Sequence, residues 1–359
     1  MPGERWGEGR SGAAVTISPM DATQTPATRL RELIVGFVVS RAVYAAASLG
    51  IADLLADGPS DASTLARACG AHASALHRVL RTLASTGVFA ETSDGRFCNT
   101  PLSELLRSDV PGSLRALSLM YGDDDAWASW GAVLYSVRTG DAAFDKVTGL
   151  GTFDYYARHP DKAKVFDQAM VSSSSLVNRA LTEAYDFSRF ARLVDVAGGY
   201  GSTLCAILNA TPSLRGVLFD MPHVIEGAGT RVVAQGAADR CQLVAGNMFE
   251  SVPPGADAYF MKHILHDWDD AACGKILASI RAAIPTDGRL LVCERLILPG
   301  SAGTYSKITD LVMLVHNQGG RERTEAEYRR LLASSGFKLT RVVPLVADYS
   351  LLEAEQAGS

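Results

Sequence analysis

The fold is decided by the stretch LVDVAGGYG at residues 193–201, in which an apolar run stops abruptly at two adjacent glycines and a third soon follows. The next segment, STLCAIL at residues 202–208, has the composition of a helix. This order predicts a strand, a tight turn and a helix N-terminus. Because glycine has no Cβ, such a turn allows a ligand to touch the backbone.

A second apolar run, VLFD at residues 217–220, ends in the carboxylate of Asp220. This acid follows the turn at about the distance expected of a ribose-binding residue, and the alternative is a structural turn with a surface aspartate. A dinucleotide-binding fingerprint is excluded, because its third glycine would fall at Leu204. The chain also lacks a phosphate-binding loop of the type G-x-x-x-x-G-K-[ST]. A nucleoside without a pyrophosphate fits better, and S-adenosylmethionine is the common one.

The composition is that of an ordinary globular protein of 359 residues, 47% hydrophobic and 20% charged. A net charge of −5 argues against broad binding to nucleic acid. The six cysteines form no C-x-x-C pair, which predicts free thiols in a cytoplasmic protein with no disulfide framework and no metal site. No apolar run has membrane-spanning length and the N-terminus has no signal-peptide core, so we expect no membrane association.

The first part of the chain predicts a small helical domain. Residues 1–24 show no periodicity and are expected to be disordered, whereas apolar residues recur at helical spacing from Leu30 to Leu49. That helix has large apolar side chains on both of its faces, so we expect it to be buried against more than one partner. Residues 51–98 read as three helices and a β-hairpin, which is a winged-helix pattern. Since there is no basic stripe, dimerisation through residues 25–110 is favoured over DNA binding.

Residues 111–185 read as a helical connector that is unusually rich in aromatic residues. Most of these side chains must belong to the core, but a subset is expected to line a pocket for a flat apolar ligand, because such pockets are mainly aromatic and aliphatic. The hydroxyls of residues 172–175 are available to the polar end of a ligand. The substrate contacts predicted here are Met120, Trp127, Phe153, Phe166 and Met170, and Ser174 is predicted to contact the cofactor.

From residue 186 to residue 359 strands alternate with helices, which predicts a Rossmann-like, doubly wound and mostly parallel α/β sheet. Further strands are expected at residues 241–246, 256–261, 289–294, 338–343 and 349–354. Thr324 with Glu327 three residues later predicts a capping box. Ligands of such sheets bind at the carboxyl ends of the strands, where Gly198, Asp220, Asn247, Lys262, His266 and Glu294 fall.

Four motifs in this half are similar to one family: VDVAGG at 194–199, FDMPHV at 219–224, MKHILHDW at 261–268 and HNQGGRERT at 316–324. They resemble the S-adenosylmethionine-dependent O-methyltransferases of the class that includes plant caffeic acid methyltransferase. Bacterial members of this class modify polyketides, anthracyclines, mitomycins and phenazines. The resemblance covers nearly the whole chain, because the family also has an N-terminal winged-helix dimerisation domain. It implies an obligate homodimer in which the partner subunit partly closes each pocket.

The resemblance also implies the cofactor contacts. Gly198 would face the methionine moiety, Asp220 would hold the ribose diol, and Met221 and Met248 would enclose the adenine. The full set predicted for S-adenosylmethionine, and for its product S-adenosylhomocysteine, is Gly198, Asp220, Met221, Asn247, Met248, Phe249, Lys262, Trp268 and Ser174. Met313 and Asn317 complete the predicted substrate contacts.

One departure from the family pattern concerns Asn247, which stands where the family usually has Asp. The adenine amino group needs only an acceptor there, and an Asn side-chain carbonyl supplies one. We therefore expect weaker cofactor binding and not a loss of function.

His266 matches the catalytic base of the family, and Glu294 and Glu322 match the two acids that flank it. An unperturbed histidine titrates near 6.5 and a phenol near 10, a gap of about 3.5 units or about 5 kcal/mol that an active site can offset. An aliphatic alcohol, taken as similar to water, would leave a gap of about 12 kcal/mol. A histidine base therefore indicates an aromatic hydroxyl. Either glutamate is expected to accept the other ring N–H and to fix the tautomer.

Two alternatives stay open at this point. A relative of the same fold that transfers methyl to nitrogen or carbon, or that performs non-methyl chemistry, would share most of these motifs. A winged-helix regulator that senses a nucleoside would share the N-terminal pattern, although the charge balance speaks against it. The combination of His266, Glu294 and Glu322 favours transfer to oxygen.

Overall fold

The structure is a computed structural model that describes residues 25–358, so the expectation of disorder for residues 1–24 lies outside the described residues. Three hydrophobic clusters organise it: one within residues 46–106, and one on each face of a seven-stranded sheet. Among the described residues no helix is long and apolar enough to span a membrane.

The N-terminal part has the predicted winged-helix pattern. Its elements are α1 (Pro26–Ser48), α2 (Ile51–Leu54), α3 (Ala62–Cys69), α4 (Ala73–Ser85), β1 (Phe89–Glu91), β2 (Phe97–Asn99) and α5 (Pro101–Glu104). Asp61 caps α3 by accepting the backbone N–H groups of Ser63 and Thr64 at 3.0 and 2.9 Å. Strands β1 and β2 pair antiparallel and form the expected hairpin.

Within the single chain, α1 is exposed on all sides in its N-terminal half, residues 26–38. Only its C-terminal end enters the core, at Ala46 and Ala47. The expected burial of this helix against more than one partner is therefore not met inside one chain, and the exposed apolar surface has the character of an interface. Its large apolar side chains are between 45% and 64% exposed: Leu30, Leu33, Ile34, Val35, Phe37 and Val38.

The connector is helical, as predicted, and joins this part to the sheet. Its helices are α6 (Arg115–Gly122), α7 (Asp124–Gly131), α8 (Val133–Thr139), α9 (Ala143–Thr148), α10 (Thr152–Arg158) and α11 (Pro160–Ala184). Arginines tie it to α1, because Arg115 donates to the carbonyl of Ala47 at 2.9 Å and Arg41 donates to the carbonyl of Gly122 at 2.5 Å.

The sheet has the strand order β5-β4-β3-β6-β7-β9-β8. Its strands are β3 (Arg192–Val196), β4 (Arg215–Asp220), β5 (Cys241–Ala245), β6 (Ala258–Lys262), β7 (Arg289–Arg295), β8 (Phe337–Pro344) and β9 (Tyr349–Gln356). The first five are mutually parallel, whereas β9 runs antiparallel to both β7 and β8. The helices around it are α12 (Ser202–Ala210), α13 (Pro222–Ala234), α14 (Asp270–Ala283), α15 (Thr304–His316) and α16 (Glu325–Ser334). The α/β prediction is confirmed, and the capping box of Thr324 and Glu327 at the start of α16 is present.

The glycine turn after β3 depends on the missing Cβ at Gly198. A Cβ there would lie 2.5 Å from Oδ2 of Asp195 and 2.5 Å from Cδ1 of Leu218, so no larger residue fits without movement. Gly199 and Gly201 adopt positive φ angles of 59° and 77°. The turn therefore requires a residue without Cβ at Gly198 and a left-handed backbone at Gly199 and Gly201. It leads directly into α12.

We predict that Gly198→Ala destabilises the fold by about 1–3 kcal/mol, because the added methyl group overpacks against Asp195 and Leu218. The matched control is Gly274→Ala in the middle of α14, where a Cβ meets nothing within 4 Å. That change should stabilise the protein by about 0.5–1 kcal/mol. Urea unfolding followed by circular dichroism measures both. A Gly198→Ala protein as stable as the wild type would contradict the steric argument.

Candidate active site

The predicted base, His266, lies in a short 3₁₀ turn, Leu265–Asp267, just beyond the carboxyl end of β6. Its side chain is buried, and Nδ1 lies 2.8 Å from Oε1 of Glu322. Nε2 lies 3.6 Å from Oδ1 of Asp267. Since a carboxylate can only accept, Nδ1 carries the proton of this hydrogen bond, and Nε2 is the nitrogen left for other chemistry.

The two glutamates that the sequence paired with His266 have different tasks. Glu322 contacts the ring directly, whereas Oε1 of Glu294 accepts the backbone N–H groups of Ile264 and Leu265 at 3.0 and 2.9 Å. Glu294 therefore holds the turn that carries His266 and makes no hydrogen bond to its ring. Of the two orienting partners that the sequence allowed, the structure has Glu322.

Arg323 is a fully buried clamp that the sequence analysis did not single out. It donates to the carbonyl oxygens of Leu265 and Trp268 at 2.7 and 2.8 Å, on either side of His266. It also donates to Asp270 at the start of α14. The only sequence signal was its place beside Glu322 in the motif GGRERT. The clamp thus fixes the backbone of the turn on both sides of His266 in the chain.

The electrostatics of the cluster are dominated by buried carboxylates. Burial disfavours a charge on His266, but Glu322, Asp267 and Glu294 outweigh it and raise the pKa of the imidazole to about 10. Burial raises the pKa of Glu294 to about 7, although His266 opposes the shift, and burial likewise raises that of Asp267 to about 6. Asp267 was not predicted as a site residue. The cluster thus favours a proton on His266.

A metal ion is geometrically conceivable here, because ligand atoms of His266, Glu294 and Glu322 lie within 4.8 Å of one another. Hydrogen bonds already account for the arrangement, however. Nδ1 of His266 faces Glu322, and Oε1 of Glu294 accepts two backbone amides. The absence of a metal, which the sequence predicts, stays a prediction.

The glycine turn and Asp220 form a second group of predicted residues. The two oxygens of Asp220 accept the backbone N–H groups of Gly199 and Met221 at 2.8 and 2.7 Å. Each oxygen keeps a lone pair for a further donor. Burial raises the pKa of Asp220, and these two backbone donors oppose the shift. The carboxylate of Asp220 therefore lies at the glycine turn, beside the backbone of Gly199.

Lys262, at the end of β6, donates to the hydroxyl of Ser174 on α11 at 2.7 Å. Burial lowers the pKa of this lysine, and burial raises the pKa of nearby Asp195 to about 7 against the influence of Lys262. Oδ2 of Asp195 is buried without a hydrogen-bond partner among the described residues. The sequence placed Lys262 and Ser174 in one site, and the structure brings them together.

At the end of β5 the side chain of Asn247 is already engaged. Its Oδ1 accepts the backbone N–H of Phe249 at 3.0 Å, and its Nδ2 donates to Glu250 at 3.2 Å. One lone pair of Oδ1 stays available, so the expected role toward adenine uses the second acceptor position. Trp268 meets Phe249 edge to face at 4.8 Å, while Met221 is 42% exposed and Met248 is partly buried.

Some predicted substrate contacts join the His266 cluster. Asn317 donates to Oδ1 of Asp267 at 2.5 Å and lies 3.6 Å from the sulfur of Met313. Phe153, which is 42% exposed, stacks on Trp268 at 5.5 Å. These contacts place Met313, Asn317 and Phe153 around the turn that carries His266.

The other predicted substrate contacts lie on the connector, and their described contacts are with other groups. Trp127 lies under the guanidinium of Arg41 at 4.8 Å, and Phe166 stacks on Tyr156 at 4.6 Å. The carbonyl of Met170 accepts the hydroxyl of Ser174, and Met120 is partly buried on α6. Their assignment to a pocket stays a prediction.

Comparison with known proteins identifies relatives that match both the N-terminal helical part and the part that contains the sheet. A family model described as an O-methyltransferase domain matches residues 130–338, and an O-methyltransferase dimerisation domain matches residues 31–109. The phenazine O-methyltransferase PhzM of Lysobacter antibioticus is 44% identical over 90% of this chain and 95% of its own. The 8-amino-8-demethylriboflavin N,N-dimethyltransferase of Streptomyces davaonensis is 35% identical over 92% and 95%.

A solved structure extends the comparison to three dimensions. Human N-acetylserotonin methyltransferase in complex with S-adenosylmethionine has a TM-score of 0.87 and 28% identity, covering 94% of this chain and all of that chain. These relatives are enzymes, and the resemblance that the sequence motifs carried is confirmed.

We predict that Glu322→Gln lowers the pKa of His266 by a unit or more, because an opposite charge in contact typically shifts a pKa by 1–3 units. Glutamine keeps the acceptor and removes only the charge. NMR titration of labelled histidine measures the shift, with Glu327→Gln as the control because Glu327 pairs with Arg321 instead.

The same pair makes stability depend on pH. Since the folded pKa of His266 lies above its ordinary value of 6.5, its stabilising contribution is complete below that pH and is lost as the pH rises toward about 10. Glu322→Gln should flatten this loss in chemical unfolding. An unchanged pKa, or an unchanged slope above pH 7, would contradict the electrostatic account.

Proposed function

Because the chain belongs to the family of S-adenosylmethionine-dependent O-methyltransferases, we propose that it methylates a hydroxyl group of an aromatic, polycyclic small molecule of secondary metabolism, with His266 as general base. The observation that carries the proposal is the buried hydrogen bond of 2.8 Å between His266 and Glu322. It commits Nδ1 and leaves Nε2 for the proton of the substrate.

The carboxylates around His266 match its basicity to the substrate. Their effect brings the imidazole pKa to about 10, near that of an ordinary phenol. Only the neutral ring can accept a proton, and since the cluster favours the protonated form, His266 must first lose the proton on Nε2 to solvent. From that neutral form, proton transfer from a bound phenol to Nε2 is close to thermoneutral. The gap of about 3.5 units expected from unperturbed groups is removed by Glu322, Asp267 and Glu294 together.

The residues at the glycine turn fit S-adenosylmethionine, which when bound supplies the sulfonium methyl group. At the turn a Cβ at Gly199 would meet nothing within 4 Å, so the backbone there is open to a ligand, and Asp220 beside it offers two charged acceptors to a ribose diol. Each charge-assisted hydrogen bond of this kind is worth about 1.5–3 kcal/mol. Lys262 with Ser174, and the aromatic pair Phe249 and Trp268, would hold the remaining parts of the cofactor.

Transfer to nitrogen is the second candidate, because one relative is named as an N,N-dimethyltransferase. A neutral amine attacks with its own lone pair and needs no base before the bond forms, whereas a phenol does. The strong coupling of His266 to Glu322 and Asp267 therefore favours oxygen. Assays with matched hydroxy and amino analogues of one ring system would separate the two.

We further propose that the protein acts as a homodimer in the cytoplasm, with the exposed apolar surface of α1 in the interface. The residues of this surface belong to the matched dimerisation domain from residue 31 onward. The six cysteines are free, which suits a reducing compartment.

The dimer is tested with the double variant Ile34→Glu, Phe37→Glu, which should give a monomer by light scattering because two charges would be buried in the interface. Val233→Glu is the matched control, since Val233 is 64% exposed and lies on α13 and not on α1, and this variant should stay dimeric. A wild type that is monomeric at micromolar concentration, or a double variant that stays dimeric, would contradict the proposal.

The chemical step is tested with His266→Ala, which should reduce turnover on a phenol by about 10²–10⁴-fold. Cofactor affinity, measured by calorimetry, should stay nearly unchanged. The deficit should shrink along a series of phenols of falling pKa, because a more acidic nucleophile is already an anion. A constant deficit along the series would show that His266 positions the substrate and does not remove its proton.

A further inference from the structure

Behind His266 lies a column of stacked groups that the proposed reaction does not use. The ring of His263 stacks on His266 with centroids 4.6 Å apart and planes at 26°. Tyr349 from β9 stacks on His263 at 4.8 Å and 24°. The guanidinium of Arg295 lies 4.5 Å from the Tyr349 ring. The base is therefore the last member of a series that begins where β7 and β9 pair antiparallel.

The backbone at His263 is strained to place this ring. Its φ angle is 58°, in the left-handed region that side chains other than glycine rarely adopt. Such residues cost free energy and persist where the surroundings hold them, often at functional sites. His263 directly follows β6, and its N–H donates to the carbonyl of Cys293 on β7. This left-handed conformation turns the chain from the end of β6 into the 3₁₀ turn that carries His266.

The polar atoms of His263 do not explain its position. Nδ1 lies 3.4 Å from the hydroxyl of Tyr349, a long hydrogen bond. Nε2 is buried and has no hydrogen-bond partner among the described residues. Burying an imidazole with only one weak polar contact costs free energy, so hydrogen bonding alone does not account for the position of His263. The contact that remains is the flat face of the His263 ring, which stacks on His266.

The charges around the two histidines are of opposite kinds. His266 faces the carboxylates of Glu322, Asp267 and Glu294, whereas His263 faces the cations Lys262, Arg295 and protonated His266. Burial and these cations hold the pKa of His263 well below its ordinary value. His263 is thus a neutral ring against a ring that favours its protonated form.

We propose that His263 is a positioning residue, which holds the His266 imidazole in the plane that faces Glu322 and stabilises its protonated form by stacking. The inference rests on the proposed function of His266 as the general base. A cation against the face of a neutral aromatic ring is attracted by it, more strongly when both are desolvated. Stacking also restricts rotation of the imidazole, so that Nε2 keeps one direction when a substrate arrives.

The test compares His263→Phe with His263→Leu in the full-length protein. Both replacements lose the polar atoms and both occupy the same left-handed backbone position, so the strain is equal in the pair. Only phenylalanine keeps a ring to stack on His266. The readouts are the His266 pKa from NMR of labelled histidine, identified by its loss in His266→Gln, and the pH profile of turnover.

We expect His263→Leu to lower the His266 pKa by about one unit and to move the ascending limb of the pH profile by the same amount. His263→Phe should keep both within a few tenths of a unit, and the KM for S-adenosylmethionine should be unchanged in both. A merely structural role would change melting temperature without moving the pKa. An unmoved pKa in His263→Leu, or an equal shift in both variants, would overturn the proposal.

The NMR measurement of the His266 pKa requires no turnover, so a failure of this inference can be told apart from a failure of the proposed function. Should His266 not be the base, the wild-type pH profile will not follow its NMR pKa, and the stacking effect on that pKa can still be measured. Should His263→Leu fail to fold, Tyr349→Leu removes the ring behind His263 and leaves the strained position intact. A smaller fall of the His266 pKa is expected there, and no fall would overturn the proposal.

Discussion

The buried hydrogen bond between His266 and Glu322 is the interaction on which the rest of the site depends. A carboxylate and an imidazole at 2.8 Å in the interior lose hydration on both sides, and each is tolerated only because the other is there. Removing either partner leaves an uncompensated group. The surrounding structure accordingly fixes both: Arg323 and Glu294 hold the turn of His266, and Asp310 accepts the backbone N–H of Glu322 at 2.9 Å.

The sheet topology explains how such distant segments meet. Strands β6 and β7 are parallel neighbours, so their carboxyl ends present Lys262 and Glu294 at one edge. The antiparallel β9 then carries Tyr349 to the same edge, beside Arg295. A purely parallel sheet would need another crossover helix to bring a ring to that place. The departure from parallel order at the end of the chain thus supplies the column behind the base.

Much of this was predictable because the signals are local. The glycine turn, the capping box at Thr324 and the strands that end in Asp220 and Glu294 follow from spacing and from turn chemistry. What could not be predicted is which of two glutamates meets the ring. That choice depends on the backbone of the turn, where Glu294 is consumed by the amides of Ile264 and Leu265. Asp267 and Arg323 were not predicted as site residues, because each acts through burial or through neighbours that are remote in sequence, and neither is visible in a pattern of residue types.

The electrostatic arrangement reconciles two demands that oppose each other. A base must be strong enough to take a phenolic proton, yet a buried imidazole loses basicity through desolvation. Three carboxylates reverse that loss, but their own repulsion and burial raise the pKa of Glu294 and of Asp267. The cluster therefore gains stability when His266 is charged. A cationic cofactor nearby would oppose that charge before methyl transfer and would thus favour the neutral ring that accepts the proton, whereas the product thioether is neutral and would no longer oppose it. The acids around His266 thus set how strongly it holds its proton, because each of them raises the pKa that burial alone would lower.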